Sequence, residues 1–416
     1  MTTTPSGQPS LWDTGDVAGG ERDAVVDAFC RGEDASLDHV LLPFDVRGTA
    51  AHVRGLGRAG VLTAQEVQTL DAALDELLRE WDAGRFTVGA EHEDGHTAIE
   101  DALTQRLGEL GRKVHTARSR NDQVLTALRL FALEHLRQVD DAATELAEAF
   151  AAKAGEARAQ GLTMPGYTHG QPAMPLEVAV WCESFRDALA DDRRTLAAAI
   201  ALTDQSPLGS ASGFGAPIPL EREATARELG FARVQANPVY CQQSRLKLEA
   251  AALNACAQLA WTLGQFACDA LLFTSPAYGF LSLPQAMTTG SSLMPNKRNP
   301  DVLELLRALH PSVEAAAAEV RMLGVRLGSG YHRDFQMSKR PFLYGLERTR
   351  TGVEVARRVV ERLQFNPEAM QAALTPELYM TATAHELVIQ QGIPFRDAYR
   401  QVKAQRHQRH EGDEAP

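Results

Sequence analysis

Apolar residues recur along much of the chain with the three-to-four-residue period of an α-helix, and strand-like alternation is not evident. Ala, Leu, Glu and Arg dominate these stretches, and all four favour helix. The pattern predicts long helices of roughly 20 to 35 residues, against a usual length of about 11 or 12. They cover residues 123–159, 175–203, 244–274, 300–327 and 341–363. The predicted fold class is therefore all-α, built around a bundle, and Pro311 is expected to kink its helix.

Composition narrows the class of protein. A chain of 416 residues exceeds one ordinary core, so two or three domains, or one long bundle with smaller ends, are expected. The five cysteines are scattered without CxxC spacing, which predicts neither a disulfide nor a zinc site. The polar N-terminus and the absence of about 18 uninterrupted apolar residues predict a cytoplasmic protein outside membranes. A formal net charge of -12 argues against nucleic-acid binding, so local Arg and Lys clusters are expected to meet a small anion.

The loops between the predicted helices hold most of the unusual polar residues, so function is expected there. A Gly-rich loop at 206–215 lacks the Lys-Ser or Lys-Thr of a phosphate cradle and is interpreted as a structural turn. Residues 55–60 match a GxGxxG string but follow a helix-like segment, which excludes a dinucleotide site. The polar tail at 405–416 is predicted to be disordered.

The segment Gly-Ser-Ser-Leu-Met-Pro-Asn-Lys-Arg-Asn-Pro-Asp at 290–301 concentrates hydroxyls, cations and amides. Asn299 is predicted to cap a helix whose first turn contains Pro300. Gly290 and the two serines after it are expected to leave the entrance mobile, as in a flap that closes over a substrate. The alternative interpretation is a basic surface turn.

This segment resembles the signature loop of the fumarase/aspartase superfamily. Residues 93–100, 116–123, 165–171 and 331–339 resemble, in order and spacing, the argininosuccinate lyase family within it. The resemblance runs from about residue 38 to about residue 404. It implies a three-domain fold with boundaries at 1–117, 118–365 and 366–416, and a homotetramer whose subunits share active sites. It also implies cleavage of argininosuccinate to arginine and fumarate without a metal or organic cofactor.

An elimination that releases fumarate needs a base, a stabiliser of negative charge and an acid. The resemblance assigns Ser291 as the base and Lys297 as the cation that stabilises the intermediate. His169 is the candidate acid, next to Thr168, and Glu304 is expected to orient its imidazole. Without the matched motif, His169 would more often be structural and Glu304 a solvated helix residue.

The remaining candidates form a substrate-binding set. Two arginines before the predicted helix at 123–159 combine guanidinium groups with free helix N–H groups, which is an anion-binding arrangement. Asp94 and His96 have a structural hydrogen-bond role as an equal alternative. The full set is Arg118, Ser119, Arg120, Asn121, Asn299, Tyr331, Gln336, Lys339, Asp94 and His96. Within it, the resemblance assigns Ser119, Asn121, Tyr331, Gln336 and Lys339 to substrate binding.

The chain departs from the family pattern in places. Trp12 lacks the usual Gly-Gly-Arg-Phe continuation, and Ser36 matches the family's substrate serine only with a shifted alignment. Met337 and Ser338 replace an acidic pair, and the C-terminal domain is shortened. Alternatives therefore include adenylosuccinate lyase, whose loop can also contain Lys-Arg-Asn-Pro, and a lyase for another N-substituted aspartate. A non-catalytic structural homologue is a further alternative.

Overall fold

The computed structural model of the chain describes residues 23–89 and 92–413. Helices predominate, which confirms the predicted class. They are α1 Ala24–Arg31, α2 Asp34–Arg58, α3 Ala64–Asp82, α4 Gly95–Leu107, α5 Glu109–Arg112, α6 Arg120–Ala159, α7 Val178–Thr203, α8 Arg222–Glu228, α9 Pro238–Gln243, α10 Lys247–Thr274, α11 Asp301–Leu323, α12 Lys339–Arg362, α13 Pro367–Ala372, α14 Met380–Gln391 and α15 Phe395–Asp413. Short 3-10 helices lie at Lys113–His115, Gln285–Met287, Arg333–Ser338 and Pro376–Tyr379. None of the helices described is both long and apolar enough to cross a membrane.

The predicted long helices correspond to α6, α7, α10, α11 and α12, with ends displaced by up to four residues. The longest, α6, has 40 residues. Pro311 lies inside α11 without ending it. The string at 55–60 falls largely within α2, which agrees with its rejection as a dinucleotide site. The tail predicted to be disordered continues α15 as far as Asp413, so that expectation is wrong for the backbone up to this residue.

Three small two-stranded sheets accompany the helices. The antiparallel hairpin consists of β1 Thr163–Thr168 and β2 Gln171–Glu177. The parallel pair consists of β3 Gln205–Ser206 and β4 Arg233–Val234, and a second antiparallel pair consists of β5 Leu281–Ser282 and β6 Gln364–Phe365. The hairpin occupies most of the connection between the predicted helices at 123–159 and 175–203, which the sequence analysis treats as a loop because the prolines conceal the strand pattern.

The chain divides into two compact units. Unit 1 takes in the described residues up to Gln138, with Thr195–Cys256 and Val313–Arg348. One of its apolar cores is formed by buried residues of α2, α3 and α4, including Leu42, Leu70 and Leu103. The helix α3 begins with a reciprocal capping box, in which Thr63 and Glu66 each accept a backbone N–H of the other.

Unit 2 takes in Val139–Arg194, Ala257–Ser312 and the chain from Thr349. Its core contains an aromatic cluster, in which the Phe150 ring lies 5.2 Å from Phe266 and 5.3 Å from Phe185. At its C-terminal end, Ala398 of α15 shares a small apolar core with Ala384 of α14. The three-domain boundaries at 117 and 365 stay a prediction, and Trp12 lies outside the described residues.

Candidate active site

A cleft of about 680 Å³ opens in unit 1. Nine of the ten predicted substrate-binding residues line it, although they come from segments far apart in sequence. They are Asp94, His96, Arg118, Ser119, Arg120, Asn121, Tyr331, Gln336 and Lys339. The tenth, Asn299, belongs to unit 2.

The N-terminus of α6 forms one wall of this cleft. The Ser119 hydroxyl oxygen accepts from Asn121 N at 3.2 Å, and the Asp122 carboxylate accepts from Ser119 N at 3.0 Å. These reciprocal bonds cap the helix and fix the direction in which its first residues point. The half-buried Arg118 donates through Nη1 to Thr49 Oγ1 at 2.8 Å. Its burial lowers the pKa of Arg118, since the charged form loses solvent.

Asp122 also anchors the Gly-rich loop that was interpreted as a structural turn. Its second carboxylate oxygen accepts from Gly209 N at 3.0 Å and from Ala211 N at 2.8 Å. Burial raises the pKa of Asp122 to about 6, because desolvation of the carboxylate outweighs the three backbone donors. The loop is therefore structural, as predicted, but it also brings Ala211 and Ser212 to the cleft wall.

Acidic residues at the start of α4 hold Arg120 in place. Arg120 Nη1 lies 3.0 Å from Asp94 Oδ2 and 3.1 Å from Glu93 Oε2, and its Nη2 donates to Thr97 Oγ1 at 2.8 Å. Asp94 also caps α4 by accepting from Thr97 N at 2.8 Å. Burial alone would raise the pKa of Asp94, but His96, Arg120 and the Thr97 donors lower it overall.

His96 lies behind this wall and its Nδ1 is hydrogen-bonded to Asp45. Burial would lower the pKa of His96, but Asp45, Asp94 and Asp38 outweigh this effect and raise it. Asp94 and His96 thus have the structural hydrogen bonds of the alternative interpretation and line the cleft as well.

The sequence did not single out two carboxylates that surround Lys339. Lys339 Nζ donates to Asp38 Oδ1 at 2.7 Å and lies 3.1 Å from Asp34 Oδ1. The other oxygen of Asp38 accepts from Gly95 N at 3.1 Å. These partners raise the pKa of Lys339 against the effect of burial. The i, i+4 spacing of Asp34 and Asp38 on α2 places both acids on one face of the helix, which was the only signal in the sequence. It did not identify their cationic partner, which lies 301 residues after Asp38.

Ser36 does not take the place of the family's substrate serine in the cleft. Its exposed hydroxyl donates to Glu33 O at 2.8 Å, and Asp34, two residues earlier, lines the cleft instead. Gln336 also lines the cleft, and its Nε2 donates to Cys30 O at 2.9 Å and to Arg31 O at 3.1 Å. Gln336 therefore binds the C-terminal carbonyls of α1.

In unit 2 the predicted flap is a loop whose two ends, Thr289 and Asn299, are hydrogen-bonded to each other. Thr289 and Asn299 exchange backbone hydrogen bonds of 3.0 and 2.8 Å. The Asn299 side chain donates weakly to Thr289 Oγ1 at 3.4 Å and to Gly290 O at 3.3 Å, and α11 begins at Asp301. The predicted N-cap role of Asn299 is therefore wrong, because its side-chain amide is hydrogen-bonded to Thr289 and Gly290 at the other end of the loop. The expected mobility of the entrance at Gly290 stays a prediction.

The Ser291 hydroxyl oxygen faces backbone donors of its own loop. It accepts from Leu293 N at 3.2 Å and from Met294 N at 3.0 Å. Residues 292–298 are exposed, and Lys297 is among them. The alkoxide form of Ser291 would gain from these two N–H groups, which point at the oxygen.

His169 occupies the tight turn of the β1–β2 hairpin. Thr168 pairs with Gln171, so His169 and Gly170 form a two-residue connection, and both have positive φ angles of 54° and 71°. Left-handed backbone at both central positions is the mark of a type I′ turn. The turn presents the exposed His169 and Thr168, while Tyr167 packs its ring 5.4 Å from that of Tyr278.

The predicted catalytic groups do not contact one another in unit 2. Among the described residues, no hydrogen bond or ion pair joins His169, Ser291 or Glu304, and Glu304 is exposed on α11. No group of three or more His, Cys, Asp or Glu side chains that could hold a metal ion occurs in 23–89 and 92–413. All five cysteines are free thiols.

Comparisons with solved structures establish the fold. EDDS lyase in complex with formate superposes with a TM-score of 0.76 at 24% identity, over 92% of this chain and 76% of that one. The class II fumarase from Schistosoma mansoni gives a TM-score of 0.75 at 17% identity, over 91% and 87%. These two likenesses show that the chain shares its fold with both proteins.

Sequence comparisons establish the family. A family model described as Lyase matches residues 19–313. The argininosuccinate lyase of Sorangium cellulosum is 46% identical over 95% of this chain and 90% of its own length. That of Thermotoga neapolitana is 41% identical over 94% of this chain and 97% of its own. These matches confirm the resemblance found in the sequence: the chain is a lyase and belongs to the argininosuccinate lyase family.

Proposed function

We propose that the protein catalyses the reversible elimination of argininosuccinate to L-arginine and fumarate, the last step of arginine synthesis. The observation that carries this proposal is the convergence of nine predicted substrate-binding residues on one cleft of about 680 Å³. Its walls alternate arginine and lysine with carboxylates, which suits a substrate that carries both carboxylates and a cationic guanidino group. The family membership supports the same substrate.

The proposed chemistry uses the exposed groups of unit 2. Ser291 removes a proton from the carbon next to a substrate carboxylate, and the electron pair is held on that carboxylate by Lys297. The C–N bond then breaks as His169, oriented by Glu304, gives a proton to the leaving nitrogen. The N–H groups of Leu293 and Met294, at 3.2 and 3.0 Å from Ser291 Oγ, support the alkoxide that this base requires. Asn299 and Thr168 complete the proposed site.

We further propose a homotetramer in which different subunits supply the cleft and the proton-transfer groups. His169 and Glu304 are exposed and Ser291 is half-buried. No hydrogen bond or ion pair among the described residues joins these three, which supports a site completed by assembly. Large apolar side chains at the surface of the long helices support an interface as well. Trp261 is 52% exposed and Leu305 73%. The proposed partners are then further copies of the chain and the small-molecule substrate, with no nucleic acid or membrane, in the cytoplasm.

The test is a fumarate-release screen over argininosuccinate, adenylosuccinate, aspartate and malate, followed by absorbance. The proposal expects release from argininosuccinate alone. Release from adenylosuccinate instead would favour that related lyase, and release from none of the four by wild type would favour the structural homologue. Size measurement in solution tests the assembly, since a monomer that is fully active would contradict shared sites.

A further inference from the structure

Five arginine and lysine side chains line the cleft of unit 1, and four of them are already engaged. Lys339 and Arg120 each lie between two carboxylates. Arg333 donates to Cys30 O at 3.0 Å, and Arg118 donates to Thr49 at 2.8 Å. For Arg245, by contrast, the described residues provide no hydrogen bond and no carboxylate within ion-pair distance.

Arg245 is nevertheless deeply placed, with 4% of its surface exposed. Its guanidinium carbon lies 4.7 Å from the ring centre of Phe335 and 6.0 Å from that of Tyr331, which itself lines the cleft. An aromatic ring contacts the flat face of a guanidinium. The N–H groups point outward in the guanidinium plane, so such a contact does not give them hydrogen-bond partners. Arg245 is thus held by stacking, and its donors are not used.

The negative charge that balances Arg245 is also incompletely bound. Glu249, one turn later on α10, is buried, and neither of its carboxylate oxygens has a hydrogen-bond partner among the described residues. Its field favours the charged form of Arg245, although burial lowers the pKa of the guanidinium overall. A buried cation with unused donors costs free energy unless a ligand satisfies it.

We propose that Arg245 binds a carboxylate of the substrate and is a binding residue of the cleft that the sequence motifs do not contain. The planar guanidinium offers two parallel N–H donors to the two oxygens of a carboxylate. This inference rests on the proposed function, since argininosuccinate is the carboxylate-bearing ligand. Its contact with Tyr331 places the anion next to a residue already assigned to the substrate.

The electrostatics of Lys339 favour Arg245 for this role. Asp38 and Asp34 lie 2.7 and 3.1 Å from Lys339 Nζ, so the group of three carries a net negative charge. An incoming carboxylate would have to displace one of these acids from Lys339. At Arg245 it displaces no protein group, because those donors are unoccupied.

The test compares Arg245→Gln, Arg245→Lys and the matched control Lys247→Gln, which removes an exposed cation two residues away. Steady-state kinetics with argininosuccinate are measured alongside calorimetric binding of fumarate and of arginine. We expect Arg245→Gln to raise KM about ten- to a hundredfold with a smaller change in kcat, because a charged hydrogen-bond pair is lost. Arg245→Lys is expected to recover part of this loss, and Lys247→Gln to behave as wild type.

The products identify which end of the substrate Arg245 binds. Weaker binding of fumarate to Arg245→Gln places the contact on the succinyl side, and weaker binding of arginine places it on the amino-acid side. Unchanged KM and unchanged binding of both products, with only a lower melting temperature, would overturn the proposal in favour of a structural pair with Glu249. If wild type binds fumarate but does not cleave argininosuccinate, the proposed function fails while the Arg245 comparison is still decided by fumarate binding. A wild type that binds neither product overturns both.

Discussion

The cleft of unit 1 and the exposed groups of unit 2 use polar residues in opposite ways. In the cleft, Lys339 has 7% of its side chain exposed and is held by Asp38 from a distant part of the chain. In unit 2, Ser291 is hydrogen-bonded within its own loop, and His169 is placed by a two-residue turn. The first arrangement depends on long-range packing and the second on local backbone geometry. Substitutions in the cleft should therefore lower stability together with binding, whereas those in unit 2 should lower the rate alone.

The largest effect is expected for Ser291→Ala, which removes the proposed base. We expect kcat to fall about 10³- to 10⁴-fold, the upper part of the roughly 10²- to 10⁴-fold range for loss of a general acid or base. Folding should be unaffected because Ser291 Oγ accepts only backbone donors of its own exposed loop. Fumarate absorbance measures the rate, and calorimetry measures substrate binding.

The matched control for this change is Ser292→Ala, at the neighbouring exposed position. It should retain activity within about twofold, as for surface substitutions remote from the chemistry. Equal losses in both variants would mean that the loop conformation, and not the Ser291 hydroxyl, is responsible.

His169→Asn is expected to lower kcat about 10²- to 10³-fold, because the proposed acid is removed. Asn is among the residues best suited to the left-handed backbone of His169, whose φ is 54°. The melting temperature should therefore stay within about 2 °C of wild type. A variant with intact kcat would reject His169 as the acid. An inactive, unfolded variant would contradict the expectation that this turn is held by local backbone geometry alone.

In the cleft, Asp38→Asn should lower the free energy of unfolding by about 3 kcal/mol, because Lys339 loses its shorter ion pair in a buried setting. Asp34 still pairs with Lys339 in this variant, so the loss of unfolding free energy should lie at the lower end of the range for buried ion pairs. Urea unfolding measures it, with the exposed Asp75→Asn as control. If both variants unfolded at the same urea concentration as wild type, the packing contrast between the two regions would disappear.

The smallest effect concerns acid stability and His52, which is hydrogen-bonded through Nε2 to Thr116 O at 2.8 Å below the cleft. Burial lowers the pKa of His52 from 6.5 to about 3. The unfolded chain takes up a proton below about pH 6.5 while the folded chain does not, so this stability is complete above pH 6.5 and is lost as the pH falls. Between pH 6.5 and 5 the loss is about 2 kcal/mol.

His52→Gln removes this titration, so its urea midpoint should vary less between pH 7 and 5 than that of wild type. The exposed His385→Gln serves as the control. An identical pH dependence in His52→Gln and wild type would show that folding does not lower the pKa of His52.

The long helices could be predicted from sequence because their signal is local. The apolar period of α6 and α10 lies within the elements themselves, so only the ends moved by a few residues. The hairpin was missed because Pro165, Pro172 and Pro175 conceal its strand pattern. Its turn also contains His-Gly in place of the more familiar Asn-Gly.

The residues of the candidate site were predictable where they lie in compact motifs, such as Ser119 and Asn121. Asp34, Asp38 and Arg245 were missed for a physical reason. A charged residue on a helix has the same local pattern whether it faces solvent or a partner. The partner of Asp38 is 301 residues away, so the distinction exists only in the folded chain.

The turn at His169 also limits which sequences can occupy this position. Because its backbone is left-handed, β-branched side chains are disfavoured there irrespective of their chemistry. A saturation library at codon 169 should thus yield well-folded clones mainly with glycine, asparagine, aspartate or histidine. Of these four, an imidazole alone titrates near neutrality, so selection for catalysis has a single solution at this residue.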